Sequence, residues 1–317
     1  MKLDRFFILL LVFFLIYSAA ISFIIENNKT LPTVDAPNHA MFCLQFYEQT
    51  EGLFKNANIC FLEKMRRFKN VFAEGIIYWP KFVYLTSLPL MYFLKPTLDA
   101  MKFTNIFYLF LLMVFSYLLT LKLGGRKNEG FLAAILIPLY PFVFKSIPSY
   151  GLDFPLTTIV VVFLYFLLKT EGFKNMFYSV LSGLILGIAS LIKGQFFLFI
   201  LVPLTVYFLD SVIKEIRGRK GLISIFAIFV NLALFIIFSF QIGSLWWRGK
   251  FNEISSAFQE HVGSKNKYLE SFPCEVYSSL SYYLFYFKYL FLGGLKPLLT
   301  IVTGMFFLRY ILLNQAK

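Results

Sequence analysis

Histidine, cysteine and acid are scarce in this 317-residue chain: it has 2 His, 3 Cys and 17 Asp plus Glu, against 30 Lys plus Arg. Three cysteines, Cys43, Cys60 and Cys274, exclude a disulfide-rich framework. One bridge, between Cys43 and Cys60, stays open if the loop that carries them faces an oxidising compartment. The charged fraction is only 15%, where a soluble domain carries about 25%. No glycine-rich phosphate loop is present, which removes the usual nucleotide-binding device. There is no internal repeat of the kind that marks inverted-repeat transporters, and no low-complexity segment. The basic residues are spread over short loops with no folded domain to organise them, so nucleic acid is not an expected partner.

What the chain has instead is apolar length. Hydrophobic residues make up 59% and aromatics 20%, and the mean hydropathy is +0.72. Several runs of about twenty apolar residues can each cross about 30 Å of hydrocarbon. The expected fold class is therefore an all-α integral membrane protein, a multi-span helical bundle. The 42 Phe and 19 Tyr are read as lipid-facing and packing side chains, not as sugar-stacking platforms.

Charge sets the orientation. Lys2 and Arg5 place the N-terminus inside, and residues 6–25 form the first apolar run. Ser18-Ala19-Ala20 resembles a signal cleavage region, but the run is longer than a usual signal core, so an uncleaved first span is expected. Residues 26–70 then lie outside, with an amphipathic stretch at 61–72 resting along the membrane surface. Residues 76–94 are apolar enough to span but carry Pro80, Lys81 and Pro89. Counting them as a span would put Lys122, Arg126 and Lys127 outside, so a broken helix in the outer interface is expected there. The remaining runs alternate: 103–121, 130–144 (bent by Pro138 and Pro141), 154–168, 176–192, 196–209 and 222–242, followed by an outer loop at 244–281 and a hairpin of 282–295 with 298–313. That makes about nine spans in one transmembrane domain, in the plasma (inner) membrane of the cell.

In this topology Asp35, His39, Lys81, Asp153, Lys193 and Arg248 share the outer face. Polar groups at membrane depth are costly and mark functional sites by default. Each also has a plainer role. Asp35 can be a solvated loop acid or a cap before Pro37, and Asp153 can be an N-cap with Pro155 close behind. His39 can be structural, and Lys81 and Lys193 can snorkel from helix ends. Arg248 follows Trp246-Trp247, which can form an interfacial belt. In the functional alternative, a lysine at headgroup level pairs with a lipid phosphate as a point charge. Asp35 and His39, four residues apart, would share a face if their loop is helical.

The order of these features resembles the GT-C glycosyltransferases, in the branch of the protein O-mannosyltransferases and aminoarabinose transferases. Val34-Asp35-Ala36-Pro37-Asn38-His39 follows the first span, and the proline-containing aromatic segment Tyr78-Trp79-Pro80-Lys81-Phe82 follows that loop. Gly124-Gly125-Arg126 separates two later spans. Asp153-Phe154-Pro155-Leu156 opens the next, and the glycine-rich run from Gly183 ends in Lys193-Gly194. The likeness covers residues 1–210, with 211–317 adding further spans. Two departures stand out: Ala36 replaces the second acid often found beside the first-loop aspartate, and a single Pro80 replaces a Pro-Pro pair.

The resemblance implies an inverting membrane glycosyltransferase that draws on a polyprenyl-phosphate-linked sugar at the outer or periplasmic face, with a glycan, lipid or protein acceptor. Asp35 would be the base and Asp153 would position the acceptor. Lys193, Lys81 and Arg248 would hold the lipid phosphate. No cofactor is required with certainty, and a divalent metal held by Asp35, Asp153 and His39 is left open. The competing classes are a lipid or oligosaccharide flippase or transporter, which would need polar groups near the middle of several spans, and a non-catalytic assembly subunit acting with a membrane partner.

Overall fold

The computed structural model describes residues 5–27, 36–56, 60–73, 80–194, 196–218 and 222–247. All of them belong to one compact unit, Met1–Lys250; a second unit, Phe251–Lys317, lies outside the described residues. The outer loop beyond residue 247 and the final hairpin expected from the sequence therefore lie outside them too. Of the described residues 87% are helical, and none is in a strand. A helix pairs its backbone groups within itself, which is what a segment in hydrocarbon requires.

The elements are α1 (Arg5–Asn27), α2 (Ala36–Lys55), α3 (Phe61–Ala73), α4 (Phe82–Leu94), α5 (Leu98–Lys122), α6 (Lys127–Leu139), α7 (Pro141–Ser146), α8 (Asp153–Lys169), α9 (Met176–Ser190), α10 (Phe196–Arg217) and α11 (Leu222–Trp247). Among the described residues three segments are long and apolar enough to cross a membrane: Arg5–Asn27, Leu98–Lys122 and Ile223–Leu245. The described residues are thus all-helical and consistent with a helical membrane protein. Helix boundaries fall close to the apolar runs, and the expected bend near Pro138 and Pro141 is a break: Tyr140 is extended between α6 and α7.

Contacts fix the direction of each long helix. Phe7 meets Tyr117 and Phe14 meets Phe110, so α1 and α5 are antiparallel. Phe6 meets Phe131, and Tyr17 donates to the Pro138 carbonyl at 2.8 Å, so α1 and α6 are parallel. Thr158 reaches the Tyr108 carbonyl while Phe115 packs on Tyr165 and Phe166, so α5 and α8 are parallel. One end of the bundle then holds Lys122, Arg126, Lys127, Lys169, Lys174, Lys214 and Arg217. There Lys122 lies 3.8 Å from Glu171, and the buried Glu215 carboxylate pairs with Lys174. The other end gathers Asp153, the turn after α9, and α2 and α4.

α4 has 13 residues, about 20 Å at 1.5 Å per residue, well short of the roughly 30 Å hydrocarbon core. The N–H of Phe82 donates to the Leu191 carbonyl at 3.2 Å, which ties the start of α4 to the Asp153 end. α9 and α11 approach closely at two glycines. A Cβ on Gly183 would collide with the Phe235 carbonyl, and one on Gly187 would lie 2.6 Å from Ile242 Cβ and 2.8 Å from the Ser239 carbonyl. Small residues spaced by four allow such an approach in apolar surroundings.

Gly183→Leu and Gly187→Leu should each cost about 1–3 kcal/mol of stability through overpacking. The thermal midpoint in detergent measures this, and Gly52→Leu, where no atom lies within 4 Å of the added Cβ, is the unaffected control.

Candidate functional site

Asp153 is the first residue of α8; the cap position belongs to Leu152, and no side chain caps the helix. The sequence expectation of an Asp153 N-cap is corrected accordingly. Its carboxylate still favours the positive helix start, and it accepts a hydrogen bond from Lys193 Nζ at 2.7 Å. The Asp153 side chain is 68% exposed and that of Lys193 18%, so the pair is an anchored lysine facing an open carboxylate.

The backbone positions Lys193. After Ser190 the chain leaves α9 in a tight turn. The N–H groups of Leu191 and Ile192 donate to the carbonyls of Ile188 and Ala189 at 2.9 and 3.0 Å. Leu191 and Ile192 are buried. The turn cannot drift without exposing them, and the close α9–α11 contact holds the helix that leads into it.

Beside this pair lies a buried polar junction built from α2, α4, α5 and the segment before α8. His39 Nδ1 lies 2.8 Å from Tyr84 OH. Ser87 Oγ meets Tyr150 OH at 3.0 Å, and Thr86 Oγ1 meets Tyr108 OH at 2.9 Å. Asn105 Nδ2 donates to the carbonyls of Ile147 and Ser149 at 2.9 and 2.7 Å. Cys43 Sγ lies 3.5 Å from Met91 Sδ. Burial pushes the Cys43 thiol up to about 11, with Tyr150 and Ser87 offsetting part of the shift. Burial likewise holds the Tyr84 and Tyr150 phenols neutral by raising them well above their ordinary value.

The expected site residues separate. Asp153 and Lys193 come together from positions 40 residues apart in sequence. His39 is 3% exposed and turned to Tyr84, so it is a packed residue of the junction rather than a water-facing one. Lys81 is 8% exposed and also turns inward. Its ammonium donates to the Val71 carbonyl in the last turn of α3 and sits 5.3 Å from the Phe46 ring. A helix C-terminus and an aromatic face both attract a cation, which accounts for its inward turn. Asp35 and Arg248 lie outside the described residues. Among the described residues no group of three His, Cys, Asp or Glu could hold a metal ion.

Cys43 is buried and Cys60 exposed, and both are free thiols, so the bridge between them is not formed. Sequence reasoning also passed over Asn105, Tyr84, Ser87, Tyr150 and the buried Lys102, which lies 3.4 Å from Asp99. Asn105 was the one with a readable signal, as an amide inside an apolar run.

Compared with protein-family models, curated proteins and solved structures, the chain matches none.

A Cys60→Ser, Cys274→Ser variant should resist alkylation at pH 8, because the remaining Cys43 is buried and protonated well above that pH. Mass spectrometry after iodoacetamide should find Cys43 modified only once the protein is denatured.

Proposed function

We propose that this chain is a membrane glycosyltransferase that moves a sugar from a polyprenyl-phosphate donor to an acceptor at the Asp153 end of the bundle. The observation that carries this reading is the Asp153–Lys193 pair, an exposed carboxylate on an anchored ammonium. It lies at the end opposite the basic helix termini. Those basic termini follow the positive-inside pattern, which supports reading the pair as outer-facing. The donor's anionic phosphate competes with Asp153 for Lys193, and the lysine stabilises charge as it grows on the leaving group. A carboxylate accepts the acceptor's hydroxyl proton. The acceptor oxygen forms its bond to the anomeric carbon as the bond to the phosphate oxygen breaks, and the electron pair leaves with the phosphate. Direct displacement inverts the anomeric centre. Asp35, directly before α2, is the base in this scheme, and a freed Asp153 orients the acceptor. His39 and Lys81 hold the α2–α4 junction rather than the substrate.

Sugar transfer from radiolabelled polyprenyl-phosphate donors in membranes tests this. Asp35→Asn should reduce transfer about 100- to 10,000-fold, the range for loss of a general base. Lys193→Ala should reduce it about 100-fold or more. Absence of transfer from every donor by well-folded wild-type protein would refute the enzyme reading. Survival of transfer in Asp35→Asn would remove only the base assignment.

The sidedness has its own check. In a Cys43→Ser, Cys274→Ser variant, a membrane-impermeant maleimide should label Cys60 in intact cells. Labelling only after permeabilisation would place the site on the inner face.

A further inference from the structure

α3 has one face of two unequal halves. Towards its C-terminus, Phe68 and Phe72 pack on Phe46 of α2, with ring centroids 6.2 and 6.4 Å apart, and Phe68 also meets Phe54 at 6.0 Å. Towards its N-terminus the same apolar face continues through Phe61 and Met65, with Leu62 at its edge, and stays exposed among the described residues: these three are 72%, 42% and 78% exposed. At 100° per residue, Arg66 and Lys69 flank this bare strip on the Leu62 side. The helix carries Lys64, Arg66, Arg67 and Lys69 against one acid, Glu63. Glu63 is taken up by Arg67 at 2.8 Å, with Arg66 lying further away at 3.8 Å. Lys64 donates to the Phe54 carbonyl at 3.0 Å, which leaves Arg66 and Lys69 as the exposed cations beside the strip.

The position of α3 narrows what covers it. α3 lies against α11, which holds one of the segments long and apolar enough to cross a membrane. α11 runs parallel to α9, since Gly183 meets Phe235 and Gly187 meets Ile242. Lys81 links the last turn of α3 to the start of α4, which is tied to the turn after α9. α3 therefore sits at the Asp153 end of the bundle, beside a helix long and apolar enough to span a membrane.

We propose that the N-terminal half of α3 docks on an anionic lipid surface, with Phe61, Leu62 and Met65 in the acyl boundary and Arg66 and Lys69 on lipid phosphates. An amphipathic helix with an apolar strip edged by Arg and Lys lies in the interface plane and binds more strongly as anionic lipid increases. A protein partner covering this strip would need acidic complementarity to the same two cations. A bilayer crossed by α11, which is long and apolar enough to span one, would supply both the apolar layer and the phosphates. α3 would dock in this way whether or not the chain transfers sugar.

The test uses the full chain with its three cysteines replaced by serine and Leu62→Cys carrying an environment-sensitive fluorophore. The protein is placed in nanodiscs of phosphatidylcholine alone or with one-third phosphatidylglycerol. Quenching by a doxyl-labelled lipid should rise about twofold when phosphatidylglycerol is present. Arg66→Glu with Lys69→Glu should abolish that rise without moving the thermal midpoint, because neither side chain takes part in the Phe46–Phe68 packing. Quenching by aqueous iodide and not by doxyl lipid, in both discs, would overturn the proposal. So would shielding from both quenchers, which would mean a protein segment or a second copy covers the strip. An undiminished phosphatidylglycerol effect in the charge-reversed variant would also overturn it.

Discussion

The approach of α9 to α11 at Gly183 and Gly187 is the constraint on which the Asp153 end depends. A helix pair in lipid gains little from hydrophobicity, because lipid tails are as apolar as the side chains, so close packing must hold it. At these two glycines the backbone of α9 comes against Phe235, Ser239 and Ile242 with no room for a methyl group. Phe235 in turn packs against Phe163 of α8 and Phe173 of the turn before α9. The last turn of α9 is thereby held at a set height, and Lys193, three residues past the helix, meets Asp153 at 2.7 Å. An ion pair exposed on one side contributes little stability on its own. Its geometry is inherited from the packing beneath it.

The buried polar junction has a different logic. Hydroxyls, an amide and an imidazole placed away from water cost free energy unless paired, and the junction pairs most of them across elements: α2 with α4, α4 with the segment before α8, and α5 with the same segment. Asn105 keeps one atom, Oδ1, buried without a protein partner. Pairing of this kind locks short helices that are too brief to be stable alone. It explains how α4, at 13 residues, keeps a defined place at one end of the bundle. The two charged ends thus differ in kind: one is a row of basic termini with scattered ion pairs, the other a packed polar cap beside the Asp153–Lys193 pair.

His39 and Lys81 show where one-dimensional reasoning stops. Both were read as outer-face groups from the topology that the basic loops set, which says nothing of which way a side chain turns. Here α2 and α4 fold against each other. The side chains at their starts point into the junction they create, towards Tyr84 for His39 and the Val71 carbonyl for Lys81. Nothing in a linear pattern encodes which of two short helices will cover the other. The partners of Asn105, Ser87 and Tyr150 are equally invisible in sequence, since the contacts span 42 to 63 positions.

By itself the amino-acid sequence determined the class: a helical chain with segments apolar enough to cross a membrane, the approximate limits of those helices, a proline disturbance at residues 138–141, and the gathering of basic residues at alternate turns. These follow from local properties, namely apolar length against bilayer thickness, proline's missing N–H, and the charge of short loops. Only the tertiary structure decided that Asp153 finds Lys193, that the glycines of α9 serve α11, and that two cysteines in one loop stay apart as free thiols. Such outcomes depend on which faces of distant helices meet, and that choice is made by packing and pairing summed over the whole unit.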